Sequence, residues 1–377
     1  MFDKVIARLT LIVALLSSSF AFLLHAGCRA SNYQVDVFNR FCYSDLAVYV
    51  QEGVVAFSSN SPAVAPLSHL LLWVLGGIAG FEVKLIVLQL LMTIALVATS
   101  LLFQIWRNKN TFDGVLFALL PLTMLSVFTG FDILAIAISM FAIKLFRANP
   151  QSPFPWILFA VAIGFDGWSW IVIAAVVAHG WMNEQLPLML SRFPIFIVSL
   201  GIINLPIALT TRDFFSITPT FSDGTGLYVL SQIANFTPPT NFIPYFFGLG
   251  VLIAITIWLK FASEHNHIRL EVVLLLFVVV QTFTTNVIGP SEVLHVLWAL
   301  LLAYPIKKFV IAISGIFTLW VAAVWLYAEE LVGDRGLDVT WYVVSAIVMW
   351  ASVLWCGIKA AEIVHTPGTD PVLNGKV

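Results

Sequence analysis

Apolar runs close to twenty residues long recur from one end of the chain to the other, parted by short polar stretches. About twenty apolar residues is the length a helix needs to cross a hydrocarbon layer. A membrane barrel would show short alternating segments instead. The pattern predicts an all-α, polytopic helical membrane protein. Spans fall at about 6–26, 84–106, 112–128, 131–147, 153–165, 168–183, 190–210, 242–260, 270–287, 292–306, 308–327 and 340–360, twelve in all. Residues 63–80 are apolar too, but Pro62, Pro66, Gly76, Gly77 and Gly80 break them, so they either cross or lie in the interface.

Charge decides between these alternatives. Lys and Arg gather on the cytoplasmic side of membrane proteins. If 63–80 stays in the interface, Lys4, Arg8, Arg107, Lys109, Lys144, Arg147, Arg192, Lys260, Arg269, Lys307, Lys308 and Lys359 all fall on one face, with both termini. The opposite face keeps Arg29, Arg40, Lys84, Arg212 and Arg335. The expected topology therefore has twelve spans, cytoplasmic termini and two long external loops, 27–83 and 211–241, with a short acidic third at 328–339. One membrane domain covers 1–365, and the polar tail 366–377 reads as disordered. Residues 9–27 have the outline of a signal peptide ending in H-A-G-C. His25 stands where a lipoprotein site favours an aliphatic residue, so an uncleaved first helix is expected.

Composition reinforces the class. The chain of 377 residues is 60% hydrophobic and 10% charged, with mean hydropathy +0.98, whereas soluble domains carry about 25% charge. The net charge of −2 says nothing about a nucleic-acid partner, and the sequence has no basic patch of the kind that would suggest one. Walker and dinucleotide-binding motifs are absent from the sequence, so an ATP-driven machine would need a partner. Three cysteines are too few for a disulfide framework. Cys28 and Cys42 both fall on the external side, where a bridge would pin the first loop to the end of the first span.

In so apolar a chain, acids beside spans are costly and often functional. Asp45 lies in C-Y-S-D-L-A-V-Y-V-Q-E-G at 42–53, among Tyr43, Leu46, Val48, Tyr49 and Val50. This setting places it at the membrane interface, partly desolvated and poised as a general base, unless it is simply a solvated loop acid. Asp36 competes with it, and Glu52, seven residues on, shares its face if the stretch is helical. Asp132 in T-G-F-D-I-L, Asp166 in G-F-D-G-W-S-W, and Glu292 with His295 in G-P-S-E-V-L-H-V-L-W fall on the same external side. With Asp45 they would ring one outward-facing cavity. Asp132 and Asp166 also look like helix N-caps, and Glu292 and His295, three apart, like a structural hydrogen-bonded pair. His69 reads as structural. His265 and His267 form H-N-H, but nothing nearby completes a site, so no residue is assigned to a metal.

The run S-D-L-A-V-Y at 44–49 resembles the D-L-x-V-Y signature of actinobacterial polyprenyl-phosphate-dependent mannosyltransferases of the GT-C superfamily. F-D-I-L-A-I-A-I-S at 131–139 is similar to that family's W/F-D-L-L-A-V segment, and G-P-S-E-V-L-H-V-L-W at 289–298 to its late S-P-x-S-W-x-H-x-x-W segment. The resemblance spans about 250 residues in order and spacing. It implies a GT-C-like fold and an inverting sugar transfer at the outer face of the bacterial cytoplasmic membrane. The donor would be a polyprenyl-phosphate mannose or arabinose, and the acceptor a cell-envelope glycolipid or polysaccharide. Asp45 would be the catalytic base. His295, Glu292, Asp132, Asp166, Tyr49, Glu52, Arg40 and Arg212 would meet the substrates, with Arg40, Lys84 or Arg212 offsetting the leaving phosphate. The lipid-linked donor would replace any nucleotide sugar or other cofactor, and a divalent metal requirement stays open. The chain departs from the family at A-V-A-P-L-S (63–68), at Asp166 and before His295. Two further readings therefore stand beside the enzyme: a non-catalytic accessory subunit of an envelope-synthesis complex, and a transporter of a lipid-linked substrate.

Overall fold

The computed structural model describes residues 2–30, 43–52, 65–77, 80–107, 112–210, 243–263, 268–285, 289–304, 307–333 and 338–365. Among these residues the secondary structure is helical and contains no strand. In chain order the helices are α1 (Phe2–Leu24), α2 (Ala26–Ala30), α3 (Asp45–Glu52), α4 (Pro66–Gly76), α5 (Phe81–Arg107), α6 (Asp113–Leu119), α7 (Pro121–Ser126), α8 (Asp132–Ala148) and α9 (Phe154–Phe165). A 3₁₀ turn (Gly167–Ser169) follows, then α10 (Trp170–Met182), α11 (Leu186–Thr210), α12 (Ile243–Ser263), α13 (Leu270–Thr284), α14 (Pro290–Ala303), α15 (Lys307–Gly333) and α16 (Val339–His365).

Six of the described helices are long and apolar enough to cross a membrane, in α1, α5, α11, α12, α15 and α16. The chain is therefore read as a multi-pass helical membrane protein. The other expected spans are shorter helices: α8 has 17 residues, α9 12, α10 13, α13 15 and α14 14. At 1.5 Å per residue, α14 is about 21 Å long, well under the roughly 30 Å of a bilayer core. Burial explains the difference. Every residue of α13 except Phe283 is buried, as is α14 from Val293 to Ala303. A helix that is apolar all round belongs in a protein interior, and one enclosed by other helices need not match the lipid thickness. The long helices carry the exposed apolar side chains, among them Leu16 at 64%, Ile202 at 65% and Leu319 at 71%. The span expected at 112–128 is instead two short helices. Leu120 is extended between them (φ −64°, ψ 131°), because Pro121 has no N–H and disfavours a helical residue before it. The third external loop is shorter than expected, since α15 runs on to Gly333.

Contacts fix which helix ends lie together. Ser17 Oγ donates to the Ala118 carbonyl at 2.6 Å, and Ser18 and Thr93 hydroxyls pair at 2.5 Å. Gly114 sits so close that a Cβ there would fall on the Ser100 carbonyl and press on Thr10. Thus α1 runs antiparallel to α5 and parallel to α6. Near the start of α1, Lys307 pairs with Asp113 at 3.0 Å, and Arg147 and Trp106 Nε1 both reach Glu271 Oε1 at 2.7 Å. Arg269 donates to the Ala303 carbonyl, Lys260 to that of Met182, and His179 meets the Ile268 carbonyl. The ends of α5, α8, α10, α12 and α14 and the starts of α6, α13 and α15 therefore share one basic end of the bundle. At 11 residues, α4 is too short to cross. It packs on the far end, where Ser68 Oγ donates to the Phe165 carbonyl at 2.7 Å.

Candidate functional site

At the end opposite the basic one, the chain returns four times to the same place. The first return is α3. Its residues Leu46 and Ala47 are fully buried, which docks the segment on the turn between α7 and α8. Ser44 Oγ donates to the Phe128 carbonyl at 2.6 Å, and the Asp45 amide donates to that of Thr129 at 2.9 Å. The acid is therefore held three residues before Asp132. It is half-buried, and Tyr43 donates its hydroxyl to Asp45 Oδ1 at 2.6 Å. Burial raises the Asp45 carboxyl from 3.8 to about 6. The Tyr43 hydrogen bond opposes that rise, and the charge of Asp132 adds to it. A carboxylate tuned in this way is a stronger base than an exposed one and is still ionised at neutral pH.

The other three returns come from the short interior helices. Asp132 is the first residue of α8; Phe131 holds the N-cap position, and no side chain caps the helix. The expected cap is therefore not what Asp132 provides. Its Oδ1 instead lies 3.4 Å from His295 Nε2. Asp166 does cap, with Oδ1 accepting from the Trp168 amide at 3.0 Å, while its Oδ2 lies 2.8 Å from His295 Nε2. The expected cap is therefore present, and the same side chain also reaches His295. Glu292 reaches back so that its Oε2 accepts from the Gly289 amide at 2.8 Å, which closes the start of α14. It lies within electrostatic reach of Asp45, Asp132 and Asp166. His295, one turn further, is fully buried and turns to the two aspartates. The Trp168 ring stacks on it at 5.9 Å, and Trp298 meets it edge-on at 6.2 Å. The α8 and α14 N-termini aim their positive dipole ends at these acids, which helps to hold charge there.

Asp45, Asp132, Asp166, Glu292 and His295 thus form one site. Tyr49 is half-buried on α3, and Glu52 closes that helix one face-repeat after Asp45. Lys84 makes no ion pair with these acids among the described residues. Arg40, Arg212, Asp36, His265 and His267 lie outside the described residues. So do loop 211–241, tail 366–377 and the Cys42 end of the expected bridge, although Cys28 is disulfide-bonded. Arg29 donates to the Phe22 carbonyl at 2.8 Å and lies over the Phe22 ring.

Sequence reasoning missed several supporting residues. Ser44, Thr129 and the two tryptophans around His295 position the site without carrying an unusual charge. The Trp-Ser-Trp run beside Asp166 was the available signal for Trp168. No family model, curated protein or solved structure matches this chain.

Proposed function

We propose that this chain is a membrane glycosyltransferase of the GT-C type. It takes a sugar, mannose or arabinose, from a polyprenyl-phosphate donor and passes it to a cell-envelope glycolipid or polysaccharide acceptor. The observation that carries this reading is the convergence of a tuned, half-buried Asp45 on Asp132, Asp166, Glu292 and His295, from four separate stretches of sequence. A ring of acids with one histidine at one end of an apolar bundle suits chemistry on a lipid-linked substrate at the membrane surface. The basic residues at the opposite end favour a cytoplasmic side for that end by the positive-inside rule. The site then opens on the outer face of a bacterial cytoplasmic membrane, and both termini are cytoplasmic.

In the transfer, Asp45 takes the proton of an acceptor hydroxyl as that oxygen attacks the anomeric carbon. The bond from the anomeric carbon to the phosphate oxygen breaks on the opposite face, and polyprenyl phosphate leaves with the electron pair. The product is inverted, and Asp45 returns its proton to solvent. Tyr43 holds the base in position through Oδ1. Asp132, Asp166 and His295 lie where the departing phosphate is handled.

The test is a transfer assay on purified wild type and Asp45→Asn in detergent. Radiolabelled polyprenyl-phosphate mannose or arabinose is the donor, and a total lipid extract is the acceptor. A labelled product with wild type that disappears with Asp45→Asn is expected. Product from both proteins would remove Asp45 as the base. No product from wild type with either donor would favour the accessory reading, in which case the proteins that co-purify become the object of study.

A further inference from the structure

We infer that Asp132, Asp166 and His295 bind a divalent cation of the manganese or zinc kind, a role the sequence assigned to no residue. The three side chains come from three separate elements. One ligand atom from each lies within 4.8 Å of the other two. His295 Nε2 is 2.8 Å from Asp166 Oδ2 and 3.4 Å from Asp132 Oδ1. Ligands about 2.1 Å from an ion sit about 3.0 Å apart at a right angle and about 3.4 Å apart at the tetrahedral angle. Both measured separations therefore fit edges of a coordination polyhedron.

A second observation separates this from an ordinary cluster of acids. His295 is 0% exposed, yet among the described residues neither ring nitrogen makes a hydrogen bond of good geometry, nor does Asp166 Oδ2. The 2.8 Å approach of Nε2 to Oδ2 is thus a close contact that lacks hydrogen-bond alignment. Two atoms this close that are not aimed at each other suit ligands converging on a third point, not a donor and its acceptor. Among the described residues no donor reaches Nδ1 either, so that nitrogen can carry the ring proton and leave the Nε2 lone pair free. Trp168 and Trp298 fix the plane of the ring. Electrostatics point the same way. Two aspartates are brought together at a buried histidine, and among the described residues no lysine or arginine pairs with either. A single imidazolium would balance one of those charges, whereas a dication balances both and is satisfied by a neutral imidazole. One nitrogen and two carboxylate oxygens suit manganese or zinc better than calcium, which takes oxygen alone. Three protein ligands leave coordination positions open. On the glycosyltransferase reading, on which only this last step rests, those positions take oxygens of the departing phosphate.

The probe is Mn2+ alone, titrated calorimetrically into EDTA-stripped, purified full-length protein in detergent, with no sugar donor. Wild type is expected to bind one equivalent and to show a raised unfolding temperature. Asp132→Asn and Asp166→Asn are expected to lose that binding, and His295→Gln to weaken it about tenfold or more. Glu82→Gln, exposed at the start of α5, is expected to bind as wild type does. If a site variant fails to fold, the Mn2+-dependent rise in wild-type unfolding temperature and a paired Zn2+ titration still decide the matter. Absence of both Mn2+ and Zn2+ binding in wild type overturns the inference. So does binding that survives Asp132→Asn and Asp166→Asn. The triad is then an imidazolium between two carboxylates. Stoichiometric binding without any transfer activity would leave the cation site standing and remove the enzyme reading. Transfer that resists EDTA in a protein that binds no Mn2+ would do the reverse.

Discussion

Asp45→Asn should make the protein inactive and, at neutral pH, more stable. The carboxyl rises from 3.8 to about 6 on folding, chiefly through burial. At 1.36 kcal/mol per pKa unit, keeping it ionised in the folded state costs about 3 kcal/mol. Asp45 is only half-buried, so solvent screening reduces this to about 1–2 kcal/mol. A neutral amide removes the cost and keeps the geometry. Asn Oδ1 still accepts the Tyr43 hydroxyl, and the amide of residue 45 still bonds the Thr129 carbonyl. The sign follows from linkage. A carboxyl with a raised folded pKa favours the folded state below its unfolded pKa, and that contribution is lost as pH rises through the folded value. The Asn variant should therefore unfold a few degrees above wild type at pH 7.5. The gap should shrink as pH falls from 6 and close near pH 4, where wild-type Asp45 is protonated in both states. The assay is thermal unfolding in detergent from pH 4 to pH 8, followed by tryptophan fluorescence. An Asn variant equal to or less stable than wild type at pH 7.5 would refute the assigned environment of Asp45, whatever its activity.

Transfer by wild type should fall on the acid side of about pH 6 as Asp45 takes up a proton, and a rate constant flat from pH 5 to 8 would contradict its role as base. Tyr43→Phe removes a hydrogen bond that favours the ionised acid, so the acid limb of the pH–rate profile should move up, by about one unit at most. Gly114→Ala places a methyl group against the Ser100 carbonyl and Thr10; it should destabilise the α1–α5–α6 packing by about 1–3 kcal/mol, read as a lower unfolding temperature. Glu271→Ala strands Arg147 and the Trp106 indole at the basic end and should cost about 1–3 kcal/mol, while the pH dependence of transfer in the surviving protein stays as in wild type.

What the sequence could show follows from where each signal resides. The apolar, helical character of the chain was legible because lipid and protein interior both demand apolar side chains. Which stretches meet lipid was not legible, for the same reason. Leu270–Thr284 and Leu186–Thr210 look alike as strings, yet the first is enclosed by other helices and the second carries the strongly exposed Ile202. Length was the distinguishing feature. The two enclosed helices, α13 and α14, have 15 and 14 residues, and Pro121, Pro153 and Pro290 mark helix starts. The grouping of Asp45 with Asp132, Asp166, Glu292 and His295 was also legible, since alternating spans put every second turn on one face. The division of labour within the group was not. Whether Asp132 caps α8 or faces His295 is a matter of one side-chain torsion at a helix start, and a sequence carries no sign of it.

The short interior helices also explain how such a site can exist in a membrane. A helix of 14 residues that begins with its acid and ends at the basic face stops about 10 Å short of the opposite side of the bilayer core. Asp132, Asp166 and His295 thus sit at the ends of helices shorter than the six that are long enough to cross a membrane. This placement solves two problems at once. It brings carboxylates into a low-dielectric setting that sharpens their chemistry, and the helix N-termini and neighbouring polar groups compensate for that setting. On the glycosyltransferase reading proposed above, it would also let a lipid tail stay in the bilayer while its phosphate reaches these groups. Inserting a full turn into α14 between His295 and its Ala303 end, which Arg269 holds, would lift His295 out of register with Asp132 and Asp166. The site therefore depends on helix shortness as directly as it depends on the residues themselves.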